Sequence, residues 1–393
     1  MKRCHAVRVN QSASRYNPYT LVIPKRAESA RGTCCPLERQ RSGEAPREAA
    51  LPRYTFPMPG KRNFEDQLAA LDALRQQPPE ASAEPLRKAL AHRNNFVVGK
   101  AADLVRQFQL TQLTPNLLTA FDRFFEDPVK TDPQCWAKNA LSRALAAFEH
   151  QDATVFLRGM RHIQLEPVWG GSSDTAGTLR ATCALALVQC RSLVDADLLA
   201  HLIELMGDKD KSVRVEVVRA IEQVGSPSAA LLLRLRAVLG SGLNSRSPDK
   251  EPDEEPEVLG ACYSGILRIE GQSAIPWVSR FLASGDDPAA EAALAIAGTH
   301  SPQGFDTLRK RFAEESDPWF CSVLLSAIAL TRQDAALEFL LDLVRAESLQ
   351  AEAAIEAILR AMPNVEITKR LEELVAGNQR LSRAFATHRP KSS

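Results

Sequence analysis

Eight cysteines, seven histidines and four tryptophans are the residues of this 393-residue chain best suited to chemistry or tight binding. Cysteine and histidine build metal centres when they recur at short spacing, as in C-x-x-C or H-E-x-x-H. No C-x-x-C occurs here, and His5, His92, His150, His162, His201, His300 and His388 are scattered one to a region. Cys34 and Cys35 adjoin, but in a polar segment that offers no second pair. The G-x-x-x-x-G-K-[ST] and G-x-G-x-x-G loops that cradle phosphates are absent, as is the G-x-S-x-G of hydrolases. The expectation is therefore no catalytic residue, no metal and no cofactor. What remains is surface. Trp136, Trp169 and Trp319 fall at or near the starts of helical patterns, while Trp277 follows Pro276 at the start of another. Tryptophan is enriched in binding hot spots, so Trp136, Trp169 and Trp319 are the candidate binding residues. The competing expectation is that each packs over a helix end.

The elements that must position these residues are helices. From Asn63 onward, amphipathic patterns of 10 to 16 residues alternate with short polar turns, and no period-2 alternation lasts long enough to predict a strand. Ala and Leu abound and aromatics make up 6%, which favours helix over sheet. The class is all-α. The patterns also resemble one another, each carrying a small residue directly before a branched apolar one. Eight such centres follow: Asp103-Leu104, Ala144-Leu145, Ala186-Leu187, Ala220-Ile221, Gly265-Ile266, Ala293-Leu294, Ala327-Ile328 and Ala357-Ile358. They recur every 28 to 45 residues, the length of one helical hairpin with its turns. Asp132-Pro133, Asp287-Pro288 and Asp317-Pro318 read as N-cap and first helical residue of the second helix of a hairpin. Asp210 occupies the same place before Val213-Arg214, and Gly225 reads as the C-cap glycine that ends that helix.

On these centres and turns the sequence resembles HEAT repeats, including the HEAT-like repeats of phycobilisome lyases. The resemblance is strongest over 195–240 and 272–361, weaker over 95–194 and absent from 1–57. It implies an α-solenoid of about eight to nine hairpins over 63–388. It also implies a ladder in which the turn Asp of one repeat bonds the Arg of another, with Asp210 and Arg214 as the matching residues here and Arg214 a further binding candidate. Most other repeats lack the Arg, as Pro288-Ala289-Ala290-Glu291 and Pro318-Trp319-Phe320-Cys321 show, so the expected ladder is discontinuous. No histidine is followed by glutamate, unlike the iron-binding steps of deoxyhypusine hydroxylase, an enzyme of similar fold.

Charge divides the chain. Residues 1–57 hold eleven Lys or Arg against four Asp or Glu, a net of +7, so the overall +1 leaves about −6 for the remainder. The leader lacks helical or strand periodicity and enough apolar residues to offset ordering, and reads as disordered. Met58 offers an alternative start, which would leave those residues outside the protein. Two turns are expanded: 241–256 carries acids and prolines and reads as a disordered acidic loop between two helices, and Glu166 to Thr178 is Gly-rich and carries Trp169. A mildly acidic repeat array disfavours nucleic acid, no apolar run is long enough to span a membrane, and the sparse cysteines, four of them in apolar helical runs, predict a reduced, cytoplasmic protein. The functional expectation is a non-enzymatic protein-interaction or scaffold protein with a protein or peptide partner. The alternative is a HEAT-like enzyme, either a phycobilin-type chromophore lyase or an alkylpurine DNA glycosylase-like protein.

Overall fold

A computed structural model describes residues 59–241 and 254–389. The basic leader, the alternative start at Met58, Cys34-Cys35 and most of the acidic loop lie outside the described residues. Within them the fold is all-α apart from one short hairpin, β1 (Leu165–Val168) antiparallel to β2 (Gly171–Asp174). Those strands correct the strand-free expectation. Four residues are too few to display a period, and the turn between them is made by Trp169 and a glycine at φ +88°, Gly170.

One series of helices forms a continuous row, each packed on the next: Asn95–Gln107, Trp136–Ala147, Gly177–Leu187, Lys211–Val224, Pro256–Glu270, Asp287–Ala297, Pro318–Leu330, Ala351–Ala361 and Gln379–His388. The intervening helices Thr114–Arg123, Ala153–Met160, Asp195–Ile203, Pro227–Gly240, Pro302–Ala313, Asp334–Arg345 and Val365–Val375 each pack on the row helix that follows. Between Gly271 and Ala283 the corresponding segment is a single α-turn, Ile275–Val278, flanked by 3-10 turns, rather than the full helix expected around Trp277.

All eight small-apolar centres lie on row helices, and the apolar members Leu104, Leu145, Leu187, Ile221, Ile266, Ile328 and Ile358 are buried. Leu294 is the exception. It is half-buried, and Ile296 takes the core position on that helix. The small members have a steric purpose where helices approach most closely: a Cβ on Gly265 would lie 2.7 Å from the Leu233 side chain. Filling such space costs about 1–3 kcal/mol unless the neighbour moves.

The turns behave largely as their residue types dictate. Asp210 accepts the Ser212 N–H at 2.8 Å and Asp317 the Trp319 N–H at 3.1 Å, and Gly225 ends its helix at φ 68°. On the Asp287–Ala297 helix, however, the cap is Asp286, which accepts from Ala289, because Pro288 sits second and not first. Asp132 caps across an intervening 3-10 turn, accepting from Ala137 at 2.8 Å and Lys138 at 2.9 Å. Pro256 opens its row helix, so the expected loop 241–256 ends in ordered structure at Glu254 and Glu255.

Candidate functional site

The turns that lead into the row helices place charged residues at a constant offset. Asp132, Asp174 and Asp208 each precede a cation by six residues: Lys138, Arg180 and Arg214. In the first two the acid and the cation pair at the helix start, and in the third the cation reaches back to the Asp208 carbonyl. Lys138 Nζ lies 3.1 Å from Asp132 Oδ2, and both side chains are fully buried. Arg180 donates to Asp174 at 2.6 Å within its own turn. It also donates twice, at 2.7 and 3.0 Å, to Asp208 in the next. Arg214 then donates to the Asp208 carbonyl at 2.5 Å, to Glu254 Oε1 at 3.1 Å and to Glu255. Asn95 supplies the equivalent contact at the start of the series, donating to Asp132 at 3.0 Å. Arg236, from the preceding Pro227–Gly240 helix, closes on Glu254.

The result is a ladder of ions and hydrogen bonds that ties the Asn95–Gln107, Trp136–Ala147 and Gly177–Leu187 to Pro256–Glu270 joints. It corrects two expectations. The acid facing Arg180 is Asp208 and the acids facing Arg214 are Glu254 and Glu255, while Asp210 is occupied by capping. The ladder also extends over more turns than Arg214 alone implied, through Lys138 and Arg180. The Arg180 guanidinium loses hydration by burial, yet its two carboxylate partners outweigh that and hold its charge more firmly than usual.

On this frame stands the hairpin. Glu166 of β1 accepts from the Gln134 N–H at 2.5 Å, from Gln164 Nε2 at 2.6 Å and from Thr175 Oγ1 at 2.8 Å. Burial alone would raise its carboxyl, but these donors bring it below the ordinary range, so it is fully ionised at neutral pH. Gln164 Nε2 also donates to the Asp132 carbonyl at 2.9 Å, and its Oε1 accepts from Cys135 Sγ at 3.2 Å and faces His162 Nε2 at 3.1 Å. Asp174 accepts from the Gln164 and Ala176 N–H groups, locking the base of the hairpin. Gln134 and Cys135 both hold left-handed backbone, φ 58° and 51°, a conformation that non-glycine residues adopt only where their surroundings fix it.

This polar cluster is structural in character. Burial pushes the Cys135 thiol up to about 11, so it stays protonated and unreactive at neutral pH. Burial also lowers His162, keeping it neutral. Cys135, Cys183, Cys190, Cys262 and Cys321 are all buried free thiols, as their apolar helical surroundings predict for the last four. Among the described residues no group of three potential ligands is placed to hold a metal.

The four sequence candidates have separate fates. Trp169 is fully exposed at the hairpin tip and touches nothing of its own chain beyond the turn. Leu165 and Val168 beside it, and Ile163 before it, are also exposed. Trp136 opens its row helix half-exposed, its ring 5.1 Å from that of Phe96 and pressed on Gly99, where a Cβ would approach to 2.9 Å. Because the 134–135 turn is bonded to β1 and Gln164, Trp136 and the hairpin belong to one edge. Arg214 is largely buried inside the ladder. Trp319 is half-buried and stacked on Phe320 at 6.1 Å, at a different joint of the row. Trp277, half-buried, carries Arg234 at 4.5 Å and Arg280 at 5.6 Å over its ring. Sequence reasoning read Asp132 only as a cap and missed Lys138, Asp174 and Arg180, though the thrice-repeated six-residue offset was there to be found.

No protein-family model matches the chain, and no curated protein sequence matches it.

Proposed function

We propose that the chain is a HEAT-like α-solenoid that works without catalysis, presenting the edge formed by Trp136 and the β1–β2 hairpin to a protein partner. The row of mutually packed helices, each joined to a preceding helix, supports the repeat reading. The observation that carries the binding reading is Trp169. A fully exposed tryptophan with three exposed aliphatic neighbours is unfavourable in water, and here it stands on a hairpin clamped by the Glu166, Gln164 and Asp174 hydrogen bonds. A rigid apolar tip binds with little loss of conformational freedom, since its ordering cost is already met by folding.

The test is co-purification from the native cell with the wild-type chain and with Trp169→Ala, alongside thermal melts of both. The expected result is selective loss of the same associated proteins at unchanged stability. Identical partner sets, or turnover of a substrate by the purified chain alone, would overturn the reading.

A further inference from the structure

The ladder ends at the Pro256–Glu270 helix. Six residues after Glu254, where earlier turns place Lys138, Arg180 or Arg214, the chain has Gly260. Against that glycine lies a carboxyl from the next row helix: a Cβ built on Gly260 would come within 2.2 Å of Glu291 Oε2. The missing side chain is thus the notch that accommodates the acid.

The groups around this notch are acidic or engaged elsewhere. From the Pro256–Glu270 helix come Glu257, whose carboxylate is 2.7 Å from Lys211 of the neighbouring row helix, and Tyr263, whose buried hydroxyl has no hydrogen-bond partner. From the Glu291 helix and its turn come Asp287 and the capping residue Asp286. On the far side Glu315 stands near Gly285 and is held by Arg311 at 2.5 Å. No cation among the described residues acts on Glu291 directly, whereas Glu257 and Asp287 repel its charge.

We propose that the joint between the Pro256–Glu270 and Asp287–Ala297 helices is a pH-sensitive coupling, in which the Glu291 carboxyl sits in the Gly260 notch as a neutral acid and leaves it on ionising. Burial first, and the Glu257 and Asp287 charges second, hold this carboxyl up at about 7 instead of its ordinary 4.5. Between those values the folded chain keeps a proton that the unfolded chain has released. Stability is therefore lost as pH rises toward 7, and the loss is complete above it. A neutral acid fits a notch flanked by helix backbone and a buried phenol, and an anion there has no cation to meet.

The experiment is amide hydrogen exchange on the full chain at pH 6 and pH 8, corrected for intrinsic exchange rates, in wild type and Glu291→Gln. The expected result in wild type is a fall in protection of at least about tenfold across 256–270 and 287–297, since each unit of a linked pKa displacement corresponds to a factor of ten. Glu291→Gln, which mimics the neutral acid, should keep its protection at both pH values. Should the amide variant fail to fold, Glu291→Ala serves, with the same pH-independent protection expected. Protection in wild type that does not change with pH, or an equal fall in the variant, would overturn the proposal.

Discussion

The same row of helices is joined in two different ways. From Asp132 to Glu255 the joints are charged: Lys138 pairs with Asp132, which Asn95 of the preceding row helix also bonds, Arg180 pairs with Asp174 and with Asp208 of the next turn, and Arg214 pairs with Glu254 and Glu255 of the turn after. From Pro256 to Ala361, the corresponding positions are Gly260, Glu291 and Cys321, and the joints are made by Ile266, Ile296, Leu324 and Ile358. Cys321 still points at its turn, its thiol 3.8 Å from the Glu315 carbonyl, much as Arg214 reaches the Asp208 carbonyl. Geometry has been kept while charge has been dropped. An apolar joint loses only what a truncated side chain contributed. A ladder joint that loses one member leaves the rest buried and unpaired, so it is specific and brittle.

The largest effect should come from Asp132→Ala. Its carboxylate caps two helix N–H groups, accepts from Asn95 and neutralises a buried Lys138. Removal strands a cation in the core, and urea unfolding should show a loss of about 3–5 kcal/mol. Arg180→Met comes next, at about 3 kcal/mol, because it unpairs Asp174 and Asp208 while retaining the apolar stem. The matched change at an apolar joint, Cys321→Ala, should cost only about 1 kcal/mol. Equal losses at Arg180 and Cys321 would erase the distinction between the two regions.

The regions should also respond to pH in opposite senses. In Asp174, burial acts to raise the carboxyl, but the Ala176 and Gln164 N–H groups and Arg180 outweigh it and hold it below 3.8. That contribution is present above the unfolded value and lost as pH falls through the acid range. Glu291 behaves in reverse, its contribution lost on the alkaline side of the ordinary carboxylate range. Unfolding midpoints followed from pH 3 to 8 should thus show Arg180→Met blunting the acid limb and Glu291→Gln blunting the upper one. Gly260→Ala probes the same notch sterically. It should cost about 1–3 kcal/mol alone, and much less in combination with Glu291→Ala, which vacates the space.

Much of the row was legible in the sequence. Small-apolar pairs mark seven of the eight centres, Asp103-Leu104 being the exception, because helix packing demands a close approach next to a large buried side chain, and that demand recurs with each hairpin. The one slip, Leu294 for Ile296, arose in the Asp287–Ala297 helix, where alanine recurs at nearly every position and no longer marks a unique face. Asp287 for Asp286 has a related cause, two adjacent acids that composition cannot rank as cap. The ladder was read from one pair, Asp210 and Arg214, and so assigned to the wrong acid. Two aspartates separated by one residue share the turn, and which one caps is settled by backbone geometry. The hairpin was illegible for a different reason, since two four-residue strands draw their order from Gln134, Gln164 and Thr175 rather than from any pattern of their own.

The smallest effect on stability should come from Trp169, the residue proposed to meet a partner. Trp136 and Trp169 belong to one edge, yet only the first is integrated into the fold, through Phe96 and the Gly99 contact. Trp136→Ala should destabilise by about 1–2 kcal/mol, because a half-buried ring and its aromatic partner are separated. Trp169→Ala removes a side chain that is as exposed as in an extended peptide, so the change should stay within about 0.5 kcal/mol. If Trp169→Ala instead destabilises as much as Trp136→Ala, the indole packs on its own chain in solution and the hairpin is a structural strap. If it leaves stability unchanged while Trp136→Ala lowers it, the edge separates into a supporting residue and a presented one. Partner binding can then be assigned to the tip by a variant whose fold is intact.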